Sequence, residues 1–146
     1  MRLVMLGPPG SGKGTQAVVL AKKLDIPHIS TGEIFREAMK NQTPLGIKIK
    51  AVMDAGDLVS DDIVVEIVKE RLEREDCRTK GFLFDGFPRT LAQGEALDQC
   101  LQSMKMPLDH VVELRVEQDL LIKRLSGRRA CAVCKKDFNI FFKPPR

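Results

Sequence analysis

The chain has 146 residues, 43% of them hydrophobic, which suits one ordinary domain built around a single core. Lys and Arg exceed Asp and Glu by 24 to 20, but residues 121–146 hold eight bases and one acid whereas residues 1–120 hold sixteen bases and nineteen acids. The basic excess therefore belongs to the C-terminal segment, where it suits nucleic acid, a small polyanion such as a nucleotide, or simply a solvated tail. No apolar run approaches the roughly 20 residues that span a bilayer, and MRLVML is too short for a signal-peptide core. A membrane partner is set aside and a cytoplasmic location is expected.

In chain order, RLVMLG (2–7) is a short apolar run closed by glycine and predicts a buried strand. It leads into GPPGSGKGT (7–15), where Gly7, Gly12 and Lys13 have the G-x-x-x-x-G-K spacing of a P-loop placed between a strand and a helix. Glycines allow successive backbone N–H groups to turn toward an anion, and the following helix adds its positive end. Lys13 then acts as a point charge on phosphate. The generic pattern continues with a Ser or Thr whose hydroxyl binds Mg²⁺, but Gly14 stands there and Thr15 comes next. Either the metal is held mainly by phosphates and water, or Thr15 binds a phosphate instead.

KGTQAVVLAKKL (13–24) predicts a helix with Ala17, Leu20, Ala21 and Leu24 on one face. PHIS (27–30) predicts a very short strand. Ser30 and Glu33 have capping-box spacing, and Thr43-Pro44 reads as an N-cap with proline at the first helical position. STGEIFR supplies Thr31 and Arg36; Arg36 is either a surface arginine or one of a set with Arg89, Arg124 and Arg128, whose forked guanidiniums suit the spread charge of phosphoryl transfer. The stretch from PHIS to the next strand holds at least two helices, more than a simple crossover needs, so it predicts an insertion over residues 30–59 that ends at DLV (57–59). IVVEIVKERLERE (63–75) predicts a helix with Ile63, Ile67 and Leu72 inward.

GFLFDGFPRT contains a buried strand (81–86) with Asp85 at its carboxyl end, suited to holding a metal's water shell or to capping the next helix. Arg89 follows Pro88, and Gln93, one turn further, offers a donor and an acceptor to a base edge. HVVELRV (110–116) predicts a third mostly buried strand, RLSGRR (124–129) ends a helix at Gly127, and CAVC has the spacing of half a zinc site in Cys131 and Cys134. His28 and His110 read as strand-end residues with satisfied rings, and Cys77 and Cys100 as reduced thiols. Strands separated by helices imply an α/β fold, a parallel sheet with helices on both faces and ligands at the carboxyl ends of its strands.

GPPGSGKGTQ, STGEIFR, GDLV, GFLFDGFPRT and RLSGRR, in this order and at these intervals, closely resemble the adenylate kinase family from residue 1 to about 145. The resemblance implies reversible transfer of the γ-phosphoryl group of ATP to AMP, giving two ADP, with Mg²⁺. It implies a P-loop core at 1–29 and 60–126, a monophosphate-binding insertion at 30–59 and the first half of a lid at 127–146. Gly10, Ser11, Gly12, Lys13, Gly14 and Thr15 would hold ATP phosphates. Thr31, Arg36, Asp57, Leu58, Val59, Gly86, Phe87, Pro88, Arg89 and Gln93 would hold AMP, with Thr31 standing where pyrimidine-specific relatives tend to carry alanine. Arg124 and Arg128 would reach the phosphates, Asp85 would order the hydrated metal, and Phe138 would lie near the adenine.

CAVC resembles the zinc-bearing lids of many bacterial members, so structural Zn²⁺ is expected only if further ligands are supplied. Asp137 replaces the family's usual hydroxyl residue before the aromatic. FKPPR resembles the middle of a lid, so the reading expects a chain truncated there. Its outgoing limb should lack a partner and the segment from about Gly127 should be mobile or borrowed into a neighbour's contacts, with impaired transfer and self-association of a family otherwise expected to be monomeric. The competing readings are a nucleotide-binding module without transfer, a kinase for another nucleoside monophosphate, and a nucleic-acid binder; the last is disfavoured because Tyr and Trp are absent and the P-loop is strong.

Overall fold

The computed structural model describes residues 1–134 and 137–144. Four parallel strands form the main sheet in the order β2-β3-β1-β4, with β1 at Arg2–Leu6, β2 at His28–Ser30, β3 at Phe82–Asp85 and β4 at His110–Glu113. Strand periodicity sorts the two faces. Leu3, Met5 and Leu83 pack with Ala17, Ala21 and Ile26 of helix α1 (Lys13–Leu24) and its exit. The alternate positions Val4, Ile29, Phe82 and Phe84 pack on the other face with Ile67, Val68 and Leu72 of α4 (Asp61–Leu72) and Leu97 and Leu101 of α6 (Leu91–Ser103). Each inward side chain thus has helix on its side of the sheet, as a doubly covered parallel sheet requires. Short α5 (Glu75–Lys80) leads directly into β3.

The insertion contains α2 (Thr31–Lys40) and α3 (Pro44–Asp54). Their starts follow the sequence signals: Ser30 accepts from the Glu33 N–H at 3.2 Å, and Thr43 accepts from the Gly46 N–H at 3.0 Å with Pro44 in the first turn. Gly46 is required by close approach, because a methyl there would collide with the Ala38 carbonyl. Ile34, Ala38, Leu45 and Ile49 belong to the same buried cluster as Val4 and Phe84, so these two helices share the sheet's core.

Two expectations need correction. The strand at 110–116 is shorter, His110–Glu113, and is not mostly buried: His110, Val111 and Glu113 are exposed. Among the described residues β4 pairs only with β1; Val112 packs against the α1-side cluster, while Val111, on the opposite face, is 56% exposed. The outgoing limb beyond Gly127 does not lack a partner. After α7 (Gln118–Ser126), β5 (Arg128–Ala130) pairs antiparallel with β6 (Asp137–Asn139). Asn139 anchors this hairpin by donating to the Arg124 carbonyl at 2.8 Å and accepting from the Phe141 N–H at 3.0 Å. Among the described residues no helix is long and apolar enough to cross a membrane.

Candidate active site

The loop between β1 and α1 lies at the carboxyl edge of the sheet, where parallel register sets Met5 and Ser30 both opposite Asp85. Gly10 and Gly12 have φ of 83° and 90°, left-handed values that cost a glycine little. With Gly12 as its N-cap, α1 starts with no side-chain cap and no acidic residue in its first turn. Its first N–H groups are therefore left for an external anion, reinforced by the helix dipole. The Ser11 hydroxyl within this loop is buried and, among the described residues, has no hydrogen-bond partner, an orphan of the kind that marks a place where something else belongs.

Lys13, the first residue of α1, pairs with Asp85, the last of β3. The other Asp85 oxygen lies 3.3 Å from His28 Nε2. The His28 contact and the Lys13 ammonium hold the Asp85 carboxyl below its usual range, against the opposing effect of burial. A Cβ at Gly14 would lie 3.3 Å from Asp85 Oδ2, so the carboxylate faces the helix start where phosphate would enter. A single buried carboxylate beside an anion cradle fits Mg²⁺, which keeps most of its waters and takes one or two carboxylates besides phosphate.

Arginines approach the loop from two directions. Arg124 on α7 donates to the carbonyls of Gly10 at 3.3 Å and Ser11 at 3.2 Å. Arg89 donates from Nε to the Gly86 carbonyl at 2.7 Å, and a Cβ at Gly86 would meet Arg89 Nη2 at 3.2 Å and Lys13 Nζ at 3.6 Å. Arg36 is exposed, its guanidinium folded over Gly32. Thr31 is buried at the start of α2. Phe87 is buried against Phe84, with ring centroids 5.5 Å apart, and the Phe87–Pro88 peptide is cis. Leu58 is 95% exposed, Asp57 is exposed and Gly56 has φ 79°, whereas Val59 packs against the core. Thr15 is exposed.

The hairpin supplies less. Arg128 forms a two-pronged pair with Asp137 at 3.1 and 3.3 Å, both side chains exposed. Phe138 is half-buried opposite Arg129. Cys131 accepts from the Cys134 N–H at 3.5 Å, and donation from the Cys134 and Val133 backbone lowers its thiol pKa, which favours a thiolate ligand. Among the described residues no group of three or more His, Cys, Asp and Glu could hold a metal; the pair does not complete a four-ligand zinc shell.

Sequence reasoning missed two side chains. The sequence presents His28 only as a strand-end residue with a satisfied ring; its partner, Asp85, lies 57 positions away. A signal existed in that PHIS is a strand ending level with the P-loop. Asp61 was not singled out at all, yet it accepts from Gln93 Nε2 at 2.6 Å and from the Thr90 hydroxyl at 2.8 Å. An acidic pair after a serine, as in Ser60-Asp61-Asp62, is a helix-start pattern and carries no pointer to Gln93.

The adenylate kinase family model matches residues 5–143. All 146 residues align with the adenylate kinase of Caldicellulosiruptor bescii at 53% identity, with that of Carboxydothermus hydrogenoformans at 53% and with that of Bacillus subtilis at 50%. The chain spans 67%, 68% and 67% of these relatives' lengths, respectively.

Proposed function

Because the chain belongs to the adenylate kinase family, we propose that its P-loop, Asp85 and surrounding arginines perform reversible transfer of the γ-phosphoryl group of ATP to AMP, giving two ADP. The observation that carries this assignment of roles is the open N-terminus of α1 with Lys13 beside buried Asp85. Gly10 to Thr15 hold ATP phosphates through backbone N–H groups and the Lys13 charge. Mg²⁺ accompanies ATP in this family and would neutralise charge on the phosphates when bound; Asp85 would hold its hydrated form. Lys13 would then exchange Asp85 for phosphate oxygens.

Arg89 and Arg36 hold the AMP phosphate and Arg124 and Arg128 the transferring group, supplying fixed positive charge where negative charge is spread. No side chain has to remove a proton; alignment and electrostatics suffice. Thr31, Asp57, Leu58, Val59, Gly86, Phe87, Pro88 and Gln93 form the AMP pocket, and exposed Leu58 gains cover from the nucleoside. Phe138 lies near the adenine of ATP. Residues 1–29 and 60–126 act as the core, 30–59 as the monophosphate-binding insertion and 127–146 as the first half of a lid. Cys131 and Cys134 bind Zn²⁺ if two further ligands are supplied. The protein is cytoplasmic and takes free nucleotides rather than nucleic acid, and a monomer is the working form expected of the family.

Acceptor preference tests this reading. With Mg²⁺ and ATP, ADP formation should be at least about tenfold faster with AMP than with CMP, UMP or GMP, the margin that hydrogen-bond matching to a base provides. Equal use of all four would remove AMP as the substrate.

A further inference from the structure

Gln93 lies in the first turn of α6 and is buried, 6% exposed. Its amide is tied at both ends. Oε1 accepts from the Arg89 backbone N–H at 2.8 Å, and Nε2 donates to Asp61 Oδ1 at 2.6 Å. A carboxylate can only accept, so the nitrogen end must face Asp61 and the oxygen end must face Arg89. A primary amide has two N–H groups and two acceptor positions; after these bonds one of each remains. That is the complement of an adenine edge, which presents an amino donor next to a ring-nitrogen acceptor.

Asp61 comes from a different element, the first turn of α4, directly after the inserted helices. Its second oxygen accepts from the Thr90 hydroxyl at 2.8 Å, and Thr90 in turn caps α6 by accepting from the Gln93 N–H at 3.2 Å. One carboxylate therefore fixes both the side chain and the helix start that carry Gln93. We infer that Asp61 is a positioning residue for AMP recognition, setting the orientation of the Gln93 amide; this rests on the reading of Gln93 as the contact to the monophosphate base.

A carboxylate at a helix N-terminus also interacts favourably with the helix dipole, which alone would make Asp61 a stabilising residue with no bearing on AMP. Asp62 separates the two roles. It stands in the same first turn, is exposed and is not among the partners of Gln93.

The experiment is calorimetric titration of AMP, and separately of ATP, into the full chain and the variants D61A, D61N, D62A, Q93A and D61A/Q93A. Loss of one charge-assisted hydrogen bond to an orienting group should weaken AMP binding by D61A about tenfold, with ATP binding within about twofold. D61N retains an acceptor for Nε2 and should stay within about threefold of the parent, and D62A should match the parent. In the Q93A background D61A should add nothing, since the two act as one unit. An unchanged AMP affinity in Q93A would overturn the reading of Gln93 itself. A loss in Q93A but none in D61A, additive losses in the double variant, or an equal loss in D62A would overturn the role of Asp61 alone. Should D61A not fold, an AMP affinity in D61N weakened as much as in Q93A would also overturn it, because that variant keeps the acceptor.

Discussion

The phosphate cradle and the β5–β6 hairpin are both short loop structures rich in charge, but they are held in different ways. The cradle sits on the carboxyl ends of β1 and β3, whose residues Val4, Met5, Leu83 and Phe84 are buried on both faces of the sheet. Its charged pair, Lys13–Asp85, is largely withdrawn from solvent. The hairpin has three residues per strand, and β5 is exposed throughout; it is fastened mainly through Asn139, the Ile140 N–H to Gly127 carbonyl bond at 2.9 Å, and Lys123 lying 5.8 and 5.7 Å from the Phe141 and Phe142 rings. A site that must present fixed dipoles to phosphate belongs on the first kind of support. A segment meant to move over a ligand can rest on the second, because little burial is lost when it lifts.

The comparison breaks most visibly at Lys13. Lys13→Met should lower phosphoryl transfer by about 10³-fold, since it removes the charge proposed to act on the phosphates, whereas Arg129→Met in the exposed hairpin should change it by less than about threefold; a steady-state ADP assay decides between them. In stability the contrast is similar. Leu72 is fully buried beneath the sheet and Val133 is 91% exposed, so Leu72→Ala should cost about 3 kcal/mol and Val133→Ala less than about 0.5 kcal/mol in urea unfolding.

Acid sharpens it further. The Asp85 pKa is lowered in the folded chain by His28 and Lys13, so its contribution to stability is fully present above the unfolded carboxyl value of about 3.9 and is lost as pH falls through the lower folded value. The stability difference between the parent and Asp85→Asn should therefore shrink as unfolding is measured from pH 5 downward. A difference that stays constant would show that the pair does not act through charge. The smallest effect is expected at Asp137. Its exposed pair with Arg128 should be worth under about 0.5 kcal/mol, so Asp137→Ser should leave the melting temperature unchanged. It should also tighten ATP binding about twofold by freeing Arg128, an effect that disappears in high salt.

What was legible in the sequence follows the range of the interactions. The P-loop, the capping of α2 by Ser30 and of α3 by Thr43, and the inward faces of α1 and α4 depend on neighbours within one turn or one loop, and their residues state them directly. Asp85 was recognisable because it ends an apolar run. The meeting of His28 with Asp85, and of Asp61 with Gln93, depends on strand order and helix packing between segments 57 and 32 positions apart, which no local pattern encodes. The exposure of β4 has a related cause: HVVE has the composition of a buried strand, and only the packing shows that Val112 meets the α1-side cluster while Val111 on the other face is exposed. In the hairpin, CAVC drew attention to metal ligands and away from Asn139, whose side chain makes the connection to α7.

The central claim is that this cradle carries ATP-to-AMP phosphoryl transfer, and phosphorus NMR of the chain with Mg²⁺, ATP and AMP tests it most directly. The account predicts two ADP formed for each ATP and AMP consumed, no inorganic phosphate, and loss of the ADP signals in Lys13→Met. ADP and inorganic phosphate appearing one for one without AMP consumption, or ADP formation that survives Lys13→Met, would contradict it.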